Sequence, residues 1–249
     1  MNKQKANYSD GITRIALWSG PRNISTALMY SFAQRADTRV YDEPLYAHYL
    51  TVRPAVQAYH PGAPQILRSQ SHDGRAVVAS MLGAQPKPVV FFKHMGHHLV
   101  DLDLDFLGSL HNVILTRDPE QMLPSYAAVV DTPTLTDVGY AAQVELYEHL
   151  TARGEPVTVL DAKRVLLDPA AVLQQLCARL GIPFDEAMLH WPAGARPEDG
   201  VWAPHWYASV HASTGFAPYR AKTAPFPERL KPLLAECQPN YALLRAVAL

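Results

Sequence analysis

The sequence predicts an α/β fold of three layers, with a mostly parallel central sheet between two layers of helices. Apolar runs of strand length alternate along the chain with segments of helical spacing, the order expected of a parallel sheet. The run 88–93 is continuously apolar up to Lys93, as in a strand buried on both faces, and 111–118, with Val113–Leu115 at its centre, is predicted to be another buried strand. Hydrophobic residues make up 48% of the 249 residues, which is ample for a buried core.

The predicted strands come first, because they fix where a site would lie. They span residues 12–18, 38–44, 88–93, 111–118 and 156–162, and the second stops at Pro44. In open parallel sheets, ligands collect at the carboxyl ends of the strands. Polar residues that follow these strands are therefore the candidates for a functional site.

The predicted helices fill the gaps between the strands. They are 24–34, with Ile24, Leu28 and Phe32 on one face, a helix within 66–82, one beginning at Pro119, then 136–153, 169–180 and 228–237. Pro119 and Pro169 suit first helical positions, and Gly181 suits the end of a helix. Residues 50–64 contain three prolines and are predicted to form a loop.

The chain is predicted to be a single domain, 1–249. From about Trp191 it becomes rich in Trp, Pro, Gly and His, so residues 191–225 are interpreted as a cap or long loop rather than a second domain.

Composition excludes several classes of partner. The formal net charge is −1, so the chain has no basic excess for wrapping nucleic acid, and any anion site must be local. No apolar run reaches the ~18 residues that cross a membrane, and the polar start MNKQKANYSD does not resemble a signal peptide. Two distant cysteines, Cys177 and Cys237, suit a reducing compartment. We therefore expect a cytoplasmic protein with no nucleic-acid or membrane partner.

The stretch SGPRNISTALM (19–29) joins the first strand to the first helix. A helix N-terminus attracts phosphate or sulfate, and Arg22, Ser25 and Thr26 would add donors that suit a tetrahedral oxyanion. The alternative is that Ser25 or Asn23 caps the helix while Arg22 faces water. The stretch is not a Walker A motif, because the second Gly and the Lys are absent.

A second candidate is RDPEQMLPS (117–125), in which Ser125 lies eight residues after Arg117. Both residues could face one ligand, or Arg117 could pair with Asp118 while Ser125 is exposed. The spacing leaves both interpretations open. Asp42-Glu43 and Lys93-His94 also follow strands, so four polar clusters are expected at one edge of the sheet.

Together these segments resemble the PAPS-dependent sulfotransferases over roughly residues 12–190. Pro21–Thr26 is similar to the loop that grips the 5′-phosphosulfate, with Arg22 at the family's Lys position and Ile24 where Gly is frequent. Arg117 and Ser125 match the pair that grips the 3′-phosphate, and 157–185 resembles a later strand and helix. The resemblance is closest to a compact bacterial subgroup with DEP, KHMxHH and ASTGF segments, here at 42–44, 93–98 and 212–216.

This resemblance implies a P-loop-like, sulfotransferase-like fold and transfer of a sulfuryl group from PAPS to a hydroxyl or amine of a small-molecule acceptor, with PAP as product and no metal. Arg22 would stabilise the leaving group, His94 or Glu43 would be the base, and Lys93 would assist. The implied nucleotide contacts are Arg22, Asn23, Ile24, Ser25, Thr26, Arg117, Ser125, Ser213, Thr214 and Gly215, with Arg220 and Lys222 as further candidates.

Other interpretations stay open from the sequence. A kinase with a degenerate P-loop would bind ATP and Mg²⁺, and a non-catalytic protein would bind PAP or PAPS without turnover. His94, His97 and His98 could bind zinc, or His97 and His98 could be ordinary core or surface residues. Trp202, Trp206 and Tyr207 are expected to shape an acceptor pocket or to pack the cap.

Overall fold

Five parallel strands form the central sheet of the computed structural model, which describes residues 10–249. They are β1 (Thr13–Ser19), β2 (Thr38–Asp42), β3 (Val89–Met95), β4 (His111–Thr116) and β5 (Val157–Asp161). Their order in the sheet is β2-β3-β1-β4-β5, and every neighbouring pair is parallel. The predicted fold class is confirmed, and the carboxyl ends of all five strands meet at one edge.

Helices connect the strands and cover the sheet. They are α1 (Ser25–Ala33), α2 (Tyr46–Val52), α3 (Ala63–Ser69), α4 (Gly74–Leu82), α5 (Pro119–Tyr126), α6 (Leu135–Val138), α7 (Tyr140–Ala152), α8 (Ala162–Leu167), α9 (Pro169–Leu180), α10 (Ala203–Trp206), α11 (Ala208–His211) and α12 (Lys231–Ala246). Short 3₁₀ segments span 54–58, 96–98, 104–109, 186–189 and 228–230.

Each face of the sheet has its own apolar core, because successive side chains of a strand point to opposite faces. Leu17 and Phe91 belong to the core that packs against α1 and α9. Trp18 and Phe92 belong to the other core, which packs against α4 and α7. Every residue of β3 is buried, as the continuous apolar run predicted.

Three element predictions need correction. The predicted loop 50–64 contains the end of α2, a 3₁₀ turn and the start of α3, because Pro54 and Pro64 occupy first-turn positions that need no amide donor. The predicted helix 136–153 is divided at Gly139, whose φ is 74°. The last helix begins at Lys231 and continues past the predicted end at Cys237 to Ala246, with Pro239 inside it.

Within residues 10–249, no helix is both long and apolar enough to cross a membrane. The expectation of no signal peptide depends on residues 1–10. All of these except Asp10 lie outside the described residues.

Candidate active site

A cavity of about 440 Å³ lies at the carboxyl edge of the sheet. Its walls come from the segments that follow β1, β2, β3 and β4, and from residues between Trp202 and Arg220. The predicted site residues that line it are Arg22, Asn23, Ile24, Ser25, Thr26, Glu43, Lys93, Arg117, Ser125, Ser213, Gly215 and Arg220. His94, Thr214 and Lys222 are not among the lining residues.

The turn from β1 into α1 presents backbone amides to this cavity. Ile24 is the N-cap of α1 with φ 61° and ψ 14°, and no side chain caps the helix. Asn23 does not act as a cap, because its Nδ2 donates to the Leu115 carbonyl oxygen at 3.0 Å. The first amides of α1 therefore keep their capacity to bind an anion. Ile24 adopts the left-handed conformation that glycine favours, although an isoleucine is strained there.

Arg22 is half-buried and does not simply face water. Its Nε donates to Ser125 Oγ at 3.0 Å and its Nη1 donates to the Trp206 carbonyl oxygen at 2.8 Å. Burial lowers the pKa of Arg22 from its ordinary value. The guanidinium group is thus held at the cavity by polar partners that carry no net charge.

Arg117 meets the same loop from β4, the strand beside β1. Its Nη1 donates to the Arg22 carbonyl oxygen at 2.7 Å, so the two arginines share one cleft. Asp118 is not its ion-pair partner; the Asp118 carboxylate caps α5 by accepting from the Glu120 amide at 2.9 Å. Within residues 10–249, neither Arg22 nor Arg117 forms an ion pair with a carboxylate.

A third cation lies near this pair. The pKa of Lys222 is lowered by burial first, and then by the positive charges of Arg117 and Arg22. Cations that lower the affinity of one another for protons form a site that an anion would stabilise.

On the opposite side of the cavity, a buried charged cluster joins the ends of β2 and β3. Lys93 Nζ donates to Asp42 Oδ1 at 2.8 Å, to Glu43 Oε1 at 2.5 Å and to Tyr207 Oη at 2.7 Å. Burial raises the pKa of Glu43 to about 7, against the opposing effect of Lys93. Glu43 also has φ 42°, a conformation that non-glycine residues rarely adopt. A carboxylate with such a pKa can take up and release a proton near neutral pH.

His94 was expected to follow the third strand and so to reach the site, but it lies inside β3 and does not line the cavity. β3 continues to Met95, and side chains alternate along it, so Lys93 and Met95 line the cavity while His94 points to the other face. There its ring stacks on Trp18, with ring centroids 4.3 Å apart. Burial, with a further contribution from Lys93, lowers the pKa of His94 to about 3.

Thr214 is likewise not brought to the cavity. Its carbonyl oxygen accepts from the Trp191 amide at 3.1 Å, and its side chain is exposed. The neighbouring Ser213 and Gly215 line the cavity. Ser213 Oγ donates to the Val210 carbonyl oxygen at 2.7 Å and accepts from Trp191 Nε1 at 3.1 Å.

Several lining residues were not identified as site residues from the sequence. Tyr46, on α2, and His60, after a 3₁₀ turn, line the cavity beside His97 and His98. His60 follows no strand and Tyr46 lies four residues beyond the end of β2, so the rule that located the other candidates, which takes the residues directly after a strand, gives no signal for them. In the described part of the chain, no three or more His, Cys, Asp or Glu side chains are arranged to hold a metal ion.

Comparison with known proteins identifies a family model and two curated relatives that match most of the chain. A family model described as a sulfotransferase domain matches residues 13–248. Two Arabidopsis thaliana proteins, named branched-chain-amino-acid aminotransferase-like protein 1 and 2, are 40% and 39% identical over 231 and 233 residues. These alignments cover 92% and 93% of the chain but 41% of each plant protein, so the chain spans about two fifths of the length of these curated relatives.

Solved structures share the fold. The sulfotransferase domain of the Synechococcus PCC 7002 olefin synthase has a TM-score of 0.51 and 15% identity, and the alignment covers 96% of this chain and 98% of that one. A sulfotransferase from Alicyclobacillus acidocaldarius has a TM-score of 0.52 and 17% identity, with 94% of each chain covered. At these identities the similarity concerns the fold alone.

Proposed function

The chain belongs to the sulfotransferase family, and we propose that it transfers a sulfuryl group from PAPS to a hydroxyl or amine of a small-molecule acceptor. The observation that carries the proposal is the pair Arg22 and Arg117. Two half-buried guanidinium groups line one cavity, and no carboxylate of the described residues forms an ion pair with either. Since a buried charge is costly unless it is paired, an anionic ligand is the natural partner.

The residues of this cleft fit a nucleotide that carries an anionic group at each end. The amides at the start of α1, with Arg22, Asn23, Ile24, Ser25 and Thr26, would hold the 5′-phosphosulfate. Arg117 and Ser125, on the neighbouring strand and helix, would hold the 3′-phosphate. Ser213 and Gly215, within the proposed cap of residues 191–225, would contact the nucleotide from the other side. Domain 1–249 would then act as one unit.

When bound, PAPS supplies the sulfuryl group, and the chain contributes position, charge and a base. We assign the base to Glu43, because it lines the cavity with a pKa near neutrality, whereas His94 does not reach the cavity. Lys93 holds the Glu43 carboxylate in place through their hydrogen bond. Arg22 is positioned to stabilise negative charge on the leaving group, as an oxyanion donor does.

The test is calorimetric binding of PAP, and of ATP with Mg²⁺, to the wild type and to Arg117→Ala. We expect PAP to bind and Arg117→Ala to weaken that binding by about 10-fold or more, since a charge-assisted hydrogen bond contributes about 1.5–3 kcal/mol. Arg75→Ala removes an exposed arginine of α4 and is the matched control, with unchanged PAP affinity.

Two results would contradict the proposal in different ways. Preference for ATP with Mg²⁺ over PAP would favour a kinase with a degenerate P-loop. Tight PAP binding without PAP production from PAPS, across a panel of hydroxyl and amine acceptors, would favour a non-catalytic nucleotide-binding protein.

A further inference from the structure

The part of the cavity near β2 and β3 contains an unusual group of buried polar atoms. Among residues 10–249, His60 Nε2, His97 Nδ1 and both ring nitrogens of His98 have no hydrogen-bond partner. All three histidines line the cavity, and each is at least nine-tenths buried. A buried polar atom without a partner costs about 1–3 kcal/mol, so a ligand or water is expected to complete this site.

Aromatic contacts fix the orientation of these imidazoles. The His98 ring lies between Tyr46 and Tyr49, stacked on both with ring centroids 4.7 Å and 4.6 Å apart. The His97 ring meets the His98 ring edge-on at 4.8 Å. His60 is held by Tyr46, whose hydroxyl lies 2.8 Å from His60 Nδ1. The free nitrogens are therefore held in place before any ligand arrives.

The protonation state of the histidines selects the chemistry of the ligand. Burial lowers the pKa of His60, lowers that of His97 to about 3, and lowers that of His98 strongly, so all three are uncharged at neutral pH. A neutral imidazole has one donor and one acceptor nitrogen, and a hydroxyl group likewise donates and accepts. A carboxylate, by contrast, only accepts and would also meet the negative charge of Glu43.

The geometry links this group to the proposed base. His98 Nδ1 lies 4.0 Å from Glu43 Oε2. A hydroxyl oxygen can lie about 2.8 Å from both atoms, so that it donates to Glu43 and accepts from His98. Since neighbouring strands lie about 4.8 Å apart, β2 and β4 are separated by three spacings, roughly 14 Å. Glu43, which follows β2, is thus well separated from Arg117, which follows β4.

We propose that the β2–β3 side of the cavity binds an uncharged acceptor with at least two hydroxyl groups. One hydroxyl lies between Glu43 and His98, and another pairs with His60 or His97. The Glu43 carboxylate takes the proton of the first hydroxyl, and the resulting oxygen forms the bond to sulfur as the bond between sulfur and the 5′-phosphate oxygen of PAPS breaks and PAP leaves. This inference rests on the proposed sulfuryl transfer and adds the class of acceptor.

The test measures binding of four probes to the protein saturated with PAP. Cyclohexanol, cis-cyclohexane-1,2-diol and myo-inositol form a series of increasing hydroxyl number, and quinate adds a carboxylate to a polyhydroxylated ring. We expect affinity to rise about 10-fold or more from cyclohexanol to myo-inositol, and quinate to bind at least 10-fold more weakly than myo-inositol.

Variants connect the series to the histidines. His98→Phe keeps the aromatic stacking and removes both nitrogens, and His60→Phe is an independent second variant. His98→Phe should lower the affinity for both myo-inositol and cyclohexanol about 10-fold, His60→Phe should lower that for myo-inositol about 10-fold and leave that for cyclohexanol unchanged, and both variants should bind PAP as the wild type does. His72→Phe, at an exposed position, is the matched control.

Several results would overturn the inference. They are equal binding of cyclohexanol and myo-inositol, quinate bound as tightly as myo-inositol, myo-inositol affinity unaffected by both variants, or no probe bound by protein that binds PAP. If ordered water, and not the acceptor, binds the unpartnered histidine nitrogens, both variants should bind myo-inositol as tightly as the wild type. Failure to bind PAP would instead contradict the proposed function, and the same probe series on nucleotide-free protein would still decide the class of acceptor.

Discussion

Glu43 and Lys93 show how neighbouring residues set each other's charge. Lys93 is buried among Asp42, Glu43 and Tyr207, and the two carboxylates outweigh the effect of burial, so the pKa of Lys93 lies well above its usual value. One ammonium faces two carboxylates, which leaves Glu43 the member whose pKa is raised by burial to about 7. Glu43 can therefore change protonation state in the physiological range.

The pH dependence of turnover tests the role of Glu43. A base acts when it is deprotonated, so the rate of PAP formation from PAPS should rise with pH through a midpoint of about 7. Glu43→Gln should lower the rate by about 10²–10⁴-fold and remove this rise. His94→Phe preserves stacking on Trp18 and should retain both rate and profile. If His94→Phe lost activity while folding normally, or Glu43→Gln kept the wild-type profile, Glu43 would not be the base.

At the scale of single elements, two residues in left-handed conformations mark helix ends with different consequences. Gly181 ends α9 with φ 71°, where glycine carries no side-chain strain. Ile24 precedes α1 with φ 61°, where an isoleucine is strained. Strain of this kind is concentrated at functional sites, and here it accompanies the amides that face the cavity.

Substitution at Gly181 measures the cost of this backbone conformation by itself. In the part of the chain that the structure describes, no atom outside the adjoining residues lies within 4 Å of the position that a Cβ would take, so only backbone strain changes. Gly181→Ala should lower the free energy of unfolding by about 1–2 kcal/mol. For a chain of this size, that corresponds to a melting temperature lower by about 2–8 °C. Gly181→Asn should cost less, because Asn tolerates this conformation better. Equal stability of Gly181→Ala and the wild type would contradict the left-handed conformation of this residue.

At the scale of the whole molecule, one buried polar cluster joins the sheet to residues 200–207, which lie late in the chain. Asp42 Oδ2 accepts from the Gly200 amide at 3.0 Å and from the Tyr207 hydroxyl at 2.7 Å, while Lys93 joins β3 to the end of β2. Tyr207 also accepts from Trp202 Nε1 at 3.0 Å. Lys93, which binds the proposed base Glu43, therefore belongs to the same cluster that holds residues 200–207 against the sheet.

Removal of Lys93 should make stability depend more steeply on pH. Lys93→Met leaves Asp42 and Glu43 buried without a cation, and breaking a buried pair costs about 3–5 kcal/mol. Without the cation, the pKa of Glu43 in the folded protein rises further above its value in the unfolded chain, because Lys93 is the partner that lowers it. The variant should therefore be closest to wild-type stability near pH 5 and lose stability as the pH rises to 8. Urea unfolding at pH 5, 6, 7 and 8 measures this, and a constant difference from wild type would refute it.

Much of the fold and part of the site follow from local patterns. Alternating apolar runs predicted the five-stranded parallel sheet, and the strand ends predicted that Arg22, Glu43, Lys93 and Arg117 would meet, because parallel strands bring their carboxyl ends to one edge. Pro169 and Gly181 predicted the bounds of α9, because each has an intrinsic backbone preference.

What the sequence alone determined is thus the order of the elements and the edge of the sheet where polar residues gather. Only the tertiary structure decided which of those residues face the cavity. β3 extends to Met95, and its two-residue alternation directs Lys93 inward and His94 to the opposite face. Tyr46 and His60 join His98 through contacts between segments distant in sequence. Side-chain direction and long-range packing depend on the register and on the whole set of packed neighbours, which no local pattern of residues contains.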